Sequence, residues 1–329
     1  MSRTVILLAA GALALTSAAA RADAPTPLDT LVAAERGFAA RSAEAGMRQA
    51  FLLNLATDAI IFRPGPTPGV PVWESRPESK YRLLWEPSWA EIAGNADLGV
   101  TTGPWVLKPG DRDTVVGQGH FITVWRRKPG AAWLVALDTG IEHDPIPHDA
   151  YGDVTFEPGE THKPVIITSS YPAAGVGLGV GLGSGSFGFG LGTVMSPQER
   201  RDRIHAHELN AMMNADRTYL YDRRGKGPAE ALSHVAAPDL RMYRSERAPA
   251  RGSMQSIELL KALPPATTQL PFGGDIASSY DMGYAYGLLL ARAKGASRAD
   301  TSAYVHVFRR DTDGKWKLIF DVETAYPKR

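Results

Sequence analysis

Two arginine and aspartate pairs are the side chains of this sequence best placed to do chemistry: Arg63 with Asp138, and Arg244 with Asp321. Each arginine follows a short run rich in apolar residues, and each aspartate ends a run that reads as the last strand of a meander. A carboxylate beside a guanidinium stays ionised and can orient a water molecule or help polarise a carbonyl. Two readings are open for the pairs: convergence on a pocket, or structural ion pairs at strand ends. His120 is a further candidate. It serves as a general base if a carboxylate such as Asp138 or Glu142 reaches it, and is otherwise a hydrogen-bonded edge histidine. Asp138, His120 and Arg63 are therefore the candidate catalytic residues.

Metal ligation is not expected, and no cofactor is expected either. Glu142-His143-Asp144 with His148-Asp149 supplies enough donors, but in a proline-rich loop that does little to preorganise them. His205 and His207 lie on a predicted helix at a spacing that points them to different faces. Tryptophan is distributed unevenly: Trp73, Trp85, Trp89, Trp105, Trp125 and Trp133 precede a single later one, Trp316. Trp125 and Trp133 have aromatic counterparts in Phe308 and Trp316 and read as core. The other four face an aliphatic and polar counterpart region, Gln255 to Pro271. Trp73, Trp85, Trp89 and Trp105 are thus candidates to line a pocket for a flat or ring-containing molecule, with bulk filling of a larger core as the alternative.

The elements that must hold these residues occur twice. Phe121-Ile-Thr-Val-Trp125-Arg126-Arg127, followed by Trp133 and Asp138, returns at identical internal spacing as Tyr304-Val-His-Val-Phe308-Arg309-Arg310, Trp316 and Asp321. Asp97-Leu-Gly99 with Gly103 is answered by Asp281-Met-Gly283 with Gly287, and Ala56 to Arg63 by Ala237 to Arg244. Three blocks in one order indicate a tandem duplication, and each copy is long enough to bury its own core and fold alone. Leu28, Leu31, Val32, Glu35 and Phe38 give a helical face, Gly46 interrupts it, and a second short helix is predicted over Met47 to Leu55. A strand at Ala59 to Phe62, a turn at Arg63-Pro-Gly-Pro, and alternating residues from Asp97 to Ile141 follow. In the second copy Ser196-Pro197-Gln-Glu199 is a strong helix start, the helix runs to about Tyr221, and Asp311-Thr-Asp313-Gly314 closes a hairpin. Helices first and strands after argue an α+β fold: two cone-shaped domains, each with N-terminal helices packed on a curved antiparallel sheet.

The expected organisation is a signal peptide over 1–22, a first domain over 23–144, a Pro/Gly-rich linker over 145–195 and a second domain over 196–329. Arg3, the apolar run Val5 to Leu15 and Ala20-Arg21-Ala22 make up the leader, with cleavage before Asp23, so a periplasmic or secreted protein is expected. The leader is too short for a permanent span, no second long apolar run follows, and no stable membrane anchor is expected. The linker holds a plausible strand at Pro164 to Thr168 and a run from Gly175 to Gly192 with glycine at alternate positions. That run reads as a flexible connector, as a glycine-faced hairpin or, as a third option, as a membrane contact. The 329 residues are 44% apolar and 22% charged, with a net charge of +1 that leaves no electrostatic footprint for nucleic acid. With no cysteine there is no disulfide, and stability must come from packing.

The pattern Asp97-Leu-Gly99-Val-Thr-Thr-Gly103, then Gly119-His120-Phe-Ile-Thr-Val-Trp125-Arg126, Trp133 and Asp138-Thr-Gly140, resembles a secreted branch, of unassigned function, of the nuclear transport factor 2-like superfamily. That superfamily also holds ketosteroid isomerases and SnoaL-like polyketide cyclases. The resemblance covers 28–144 well and 197–327 less completely. It implies a sheet wrapped around helices with an apolar pocket at one end, and it carries over no catalytic residue. The expected function is binding of a small apolar or aromatic molecule by the first domain, with acid/base turnover left open. The alternative is a non-catalytic interaction module in which the two domains pack as an internal pseudo-dimer.

Overall fold

The computed structural model describes residues 24–146, 156–161, 195–263, 266–291 and 299–326. The predicted leader, the predicted strand at 164–168, the glycine-alternating run, and His148 with Asp149 lie outside the described residues.

The first unit opens with α1 (Pro27–Ala45). Thr26 caps it, its side chain accepting from the Asp29 backbone while Asp29 reaches back, and Pro27 occupies the first turn, where its missing N–H costs nothing. Gly46, at φ 85°, ends the helix in a conformation that residues with a Cβ rarely adopt. Next come α2 (Met47–Asn54), β1 (Leu55–Phe62), β2 (Pro66–Pro68), α3 (Gly69–Ser75), β3 (Tyr81–Trp85), β4 (Trp89–Ile92), β5 (Leu98–Pro109), β6 (Gly117–Arg126) and β7 (Leu134–Glu142). Part of the predicted linker is a strand, β8 (Glu157–Thr161), which pairs parallel with β4 and so extends the first sheet. The second unit repeats the plan with α4 (Pro197–Gly225), α5 (Pro228–Val235), β9 (Ala236–Arg244), β10 (Ala250–Arg251), α6 (Ser253–Leu260), β11 (Ala266–Ile276), β12 (Met282–Ala291), β13 (Asp300–Arg310) and β14 (Trp316–Ala325). Ser196 and Glu199 form the expected capping box, and α4 runs one turn past Tyr221 before Gly227 stops it at φ 95°.

Each unit is α+β, with its helices on one face of a sheet ordered β2-β1-β7-β6-β5-β4-β8 in the first and β10-β9-β14-β13-β12-β11 in the second. Neither sheet is purely antiparallel, because β1 joins β7, and β9 joins β14, in parallel. Strand alternation sorts β6 into two buried faces. Phe121 and Trp125 pack under the helices with Leu31, Phe38 and Phe51, while Ile122 and Val124 face the other way, in one apolar cluster with Met282, Val305, Val307 and Phe320 of the second unit.

Reciprocal contacts accompany this shared layer. The Asp97 carboxylate accepts from Ser278 N at 3.0 Å, and its repeat counterpart Asp281 accepts from Gly94 N at 2.8 Å. The repeated Asp-x-Gly block therefore caps a turn of the opposite unit, the relation found at two-fold interfaces. Trp89 packs on Phe320 with ring centroids 5.1 Å apart. Arg309 bridges the buried Glu91 at 3.2 Å while also pairing with Asp239. With so much apolar sheet covered by the partner unit, a chain truncated after Asp144 is expected to self-associate and to melt earlier than the full chain. Sedimentation velocity and a thermal melt check this, and a monomeric half with an unchanged melt would show that the covered face contributes little.

Candidate functional site

Asp138 is carried by β7 directly across the ladder from Thr123 of β6, and the Thr123 hydroxyl donates to Asp138 Oδ2 at 3.3 Å. Both point to the helix side, into a cavity of about 360 Å³. Its walls come from α1 and α2 (Phe38, Met47, Phe51), from β3 and β5 (Leu83, Trp85, Trp105, Leu107) and from Phe121, and the mouth is edged by Arg63, Gly140 and Glu142. The volume suits a ligand of one or two rings, and apolar walls with a few polar groups are the usual composition of a small-molecule site.

Burial pushes the Asp138 carboxyl up to about 7. The nearby Arg63 charge and the Thr123 hydroxyl pull it down, and Glu35 adds to the rise. Near neutral pH the group therefore populates both its acid and its base form, the condition that suits proton transfer.

Glu35 lies behind the cavity wall, fully buried on the α1 stripe. It accepts from Trp85 Nε1 at 2.6 Å, Thr101 Oγ1 at 2.5 Å and Trp125 Nε1 at 2.9 Å. Burial raises its pKa against these bonds. This residue was readable only as a member of the helix face. The signal was present, since a glutamate among Leu31, Val32 and Phe38 must find buried donors.

Of the predicted catalytic residues, the cavity unites Asp138 and Arg63. Arg63 sits at the rim with Nη1 donating to Phe62 O at 2.7 Å, and among the described residues it forms no ion pair. His120 is a correction: it lies on the opposite face of β6 from Thr123, so it cannot work with Asp138 in one pocket. Its Nδ1 is 2.8 Å from His143 Nε2 and its ring is beside Tyr243 of the second unit. Burial, then the His143 charge, lowers its pKa to about 3, which keeps it neutral.

The four tryptophans also divide. Trp85 and Trp105 line the cavity. Trp73 instead stacks on Phe51 from behind, at 4.0 Å between centroids, and Trp89 faces the second unit under the Arg241 guanidinium. Trp105 is half-buried and donates to Ile141 O at 3.2 Å, so Trp105→Ala is expected to cost only about 1 to 3 kcal/mol while opening the cavity. Trp125→Ala should cost about 3 to 5 kcal/mol, because Trp125 is 0% exposed and anchors Glu35. Trp85 shares that anchoring role and should behave like Trp125. Urea denaturation of the three variants separates these classes.

In the second unit the corresponding space is occupied. Counted back from the helix-ending glycines Gly46 and Gly227, Glu35 corresponds to Asp216, Phe38 to Tyr219 and Ser42 to Arg223, and His306 stands where Thr123 does. His306 Nδ1 meets Asp216 at 2.6 Å and its Nε2 lies 3.6 Å from Asp321. Tyr219 donates to Asp321 Oδ2 at 2.7 Å. Arg244 pairs with Asp321 at 2.8 Å and with Glu323 at 3.1 Å, and Arg223 with Glu323 at 2.6 Å. Burial opposes ionisation of Asp321, but the Arg244 charge and the His306 contact outweigh it and hold the carboxyl well below its usual range.

No family model matches the sequence, and no curated protein matches it. Solved structures do. A ketosteroid isomerase-like protein from Erwinia carotovora atroseptica is 14% identical, covering 37% of this chain and 98% of its own, with a TM-score of 0.33. An NTF2-like protein with a cystatin-like fold from Novosphingobium aromaticivorans is 17% identical, covering 41% of this chain and 92% of its own, with a TM-score of 0.33. An NTF2-like protein of unknown function from Pseudomonas putida is 13% identical, covering 37% of this chain and 89% of its own, with a TM-score of 0.33. Each of these three structures, two described as NTF2-like and one as ketosteroid isomerase-like, is matched over less than half of this chain.

Proposed function

We propose that the first unit binds a small apolar, ring-containing molecule in its cavity, with Asp138 as the proton donor or acceptor, in a protein that is exported. One observation carries the reading: a carboxyl titrating near 7 opens into an apolar cavity of about 360 Å³. A group so placed can take a proton from an acidic position of a bound molecule and return it, while the rim guanidinium of Arg63 steadies negative charge that develops. Glu35 and its three donors brace the wall from behind, which holds Trp85 and Trp125 in one orientation.

A second reading, the non-catalytic interaction module, draws its support from the second unit. There the cognate space is taken by Tyr219, His306 and Arg223, and the Asp97 and Asp281 caps tie the two units reciprocally. On this combined view the second unit is the packing partner of a working first unit.

Native mass spectrometry of protein purified from its own compartment tests both parts. A retained small molecule, lost in Trp105→Ala, and a chain mass that begins at Asp23 are expected. A ligand-free spectrum together with an intact Met1 would overturn the binding and export readings alike.

A further inference from the structure

Two arginines line the cleft outside the cavity. Arg63 lines both the deep cavity and a more open cleft that continues from it, walled by Arg76 of the first unit and by Ser245 and Thr324 of the second. Neither arginine forms an ion pair among the described residues. Arg63 donates to Phe62 O, and Arg76 lies over the Trp73 ring at 4.8 Å. Other arginines near the unit boundary behave differently: Arg126, Arg244 and Arg309 each hold a carboxylate. Glu142 also lines both the cavity and the cleft, yet among the described residues it pairs with neither arginine. Partial burial, then the Arg63 charge, holds the Arg76 guanidinium below its ordinary range. Two neighbouring guanidiniums that form no ion pair among the described residues repel each other, and an anion bound between them lowers that cost.

Resting on the cavity reading above, we infer that the ligand is an amphipathic anion, a ring-bearing carboxylate whose rings lie against Trp85 and Trp105 and whose carboxylate is held at the mouth by Arg63 and Arg76. Planar guanidiniums present paired donors that match a carboxylate, and such charge-assisted bonds are about twice as strong as neutral ones.

The test compares a naphthalene carboxylate with the neutral naphthalene carboxamide of the same shape, titrated calorimetrically into the full chain at low ionic strength. The carboxylate should bind about tenfold tighter or better. In an Arg63→Gln, Arg76→Gln double variant that preference should fall to about one while carboxamide affinity holds, which also shows that the variant is folded. Trp105→Ala should weaken both probes together. Equal affinities in the wild type, or a preference that survives the double variant, would overturn the anion inference and leave the cavity reading standing. Failure of both probes to bind the wild type would overturn the two together.

Discussion

Asp321→Asn is expected to destabilise the protein by about 3 to 5 kcal/mol, the usual cost of removing one partner from a buried ionic network. Asp321 is 0% exposed, and three groups depend on its charge: Arg244 at 2.8 Å, the Tyr219 hydroxyl at 2.7 Å and His306 at 3.6 Å. An amide preserves the volume but leaves Arg223 and Arg244 sharing Glu323 alone. The Asp321 pKa is lowered, so its contribution is complete above the ordinary value of 3.8 and is lost as pH falls through the folded value. His306 adds a dependence of opposite sign. Burial works against its charge, but the hydrogen bond to Asp216 and the nearby Asp321 carboxylate prevail and raise its pKa, so its share is present below 6.5 and is lost as pH rises through the folded value. Urea denaturation of wild type and Asp321→Asn at neutral pH reads the difference directly. A loss under about 1 kcal/mol would mean that the network is solvated and contributes as a surface pair does.

The same substitution at the repeat counterpart should act in the other direction. Asp138 has its pKa raised from 3.8 to about 7 by burial, so its contribution is complete below 3.8 and is lost as pH rises through 7. Ionising it above that point costs up to about 4 kcal/mol. Asp138→Asn should therefore match wild type near pH 4, exceed it in stability by about 2 to 4 kcal/mol at pH 8 to 9, and flatten the profile between. Any turnover of a bound molecule should vanish in the same variant, since an amide neither takes nor gives the proton. Thermal melts across this pH range decide the matter, and parallel profiles for the two proteins would place the Asp138 carboxyl in solvent contact with an ordinary pKa.

These opposite expectations for one repeated aspartate show where sequence reading stops. Spacing located Asp138 and Asp321 at matching positions of matching strands, although both lie in mid-strand and not at the strand ends as expected, and the helix stripe, the Gly46 break and the Ser196 capping box were all legible, because each follows from local periodicity or from backbone groups close in the chain. Whether an Arg63 or an Arg244 touches its aspartate was not. That depends on strand pairing and on what fills the space between, Thr123 in one unit and His306 in the other.

His120 marks the same limit. Both faces of β6 are buried, one under helices and one under the second sheet, so the polar and apolar contrast that would reveal a strand's orientation is missing. Trp73, Trp85, Trp89 and Trp105 were alike in sequence, and only the tertiary structure sent two to the cavity, one behind Phe51 and one to the unit boundary. By itself, then, the sequence determined the duplication, the α+β class and the elements that carry the acids. The tertiary structure decided which acid opens to a cavity and which is locked in a network, because burial and charge act through space and a pKa follows the surroundings a side chain reaches, not its place along the chain.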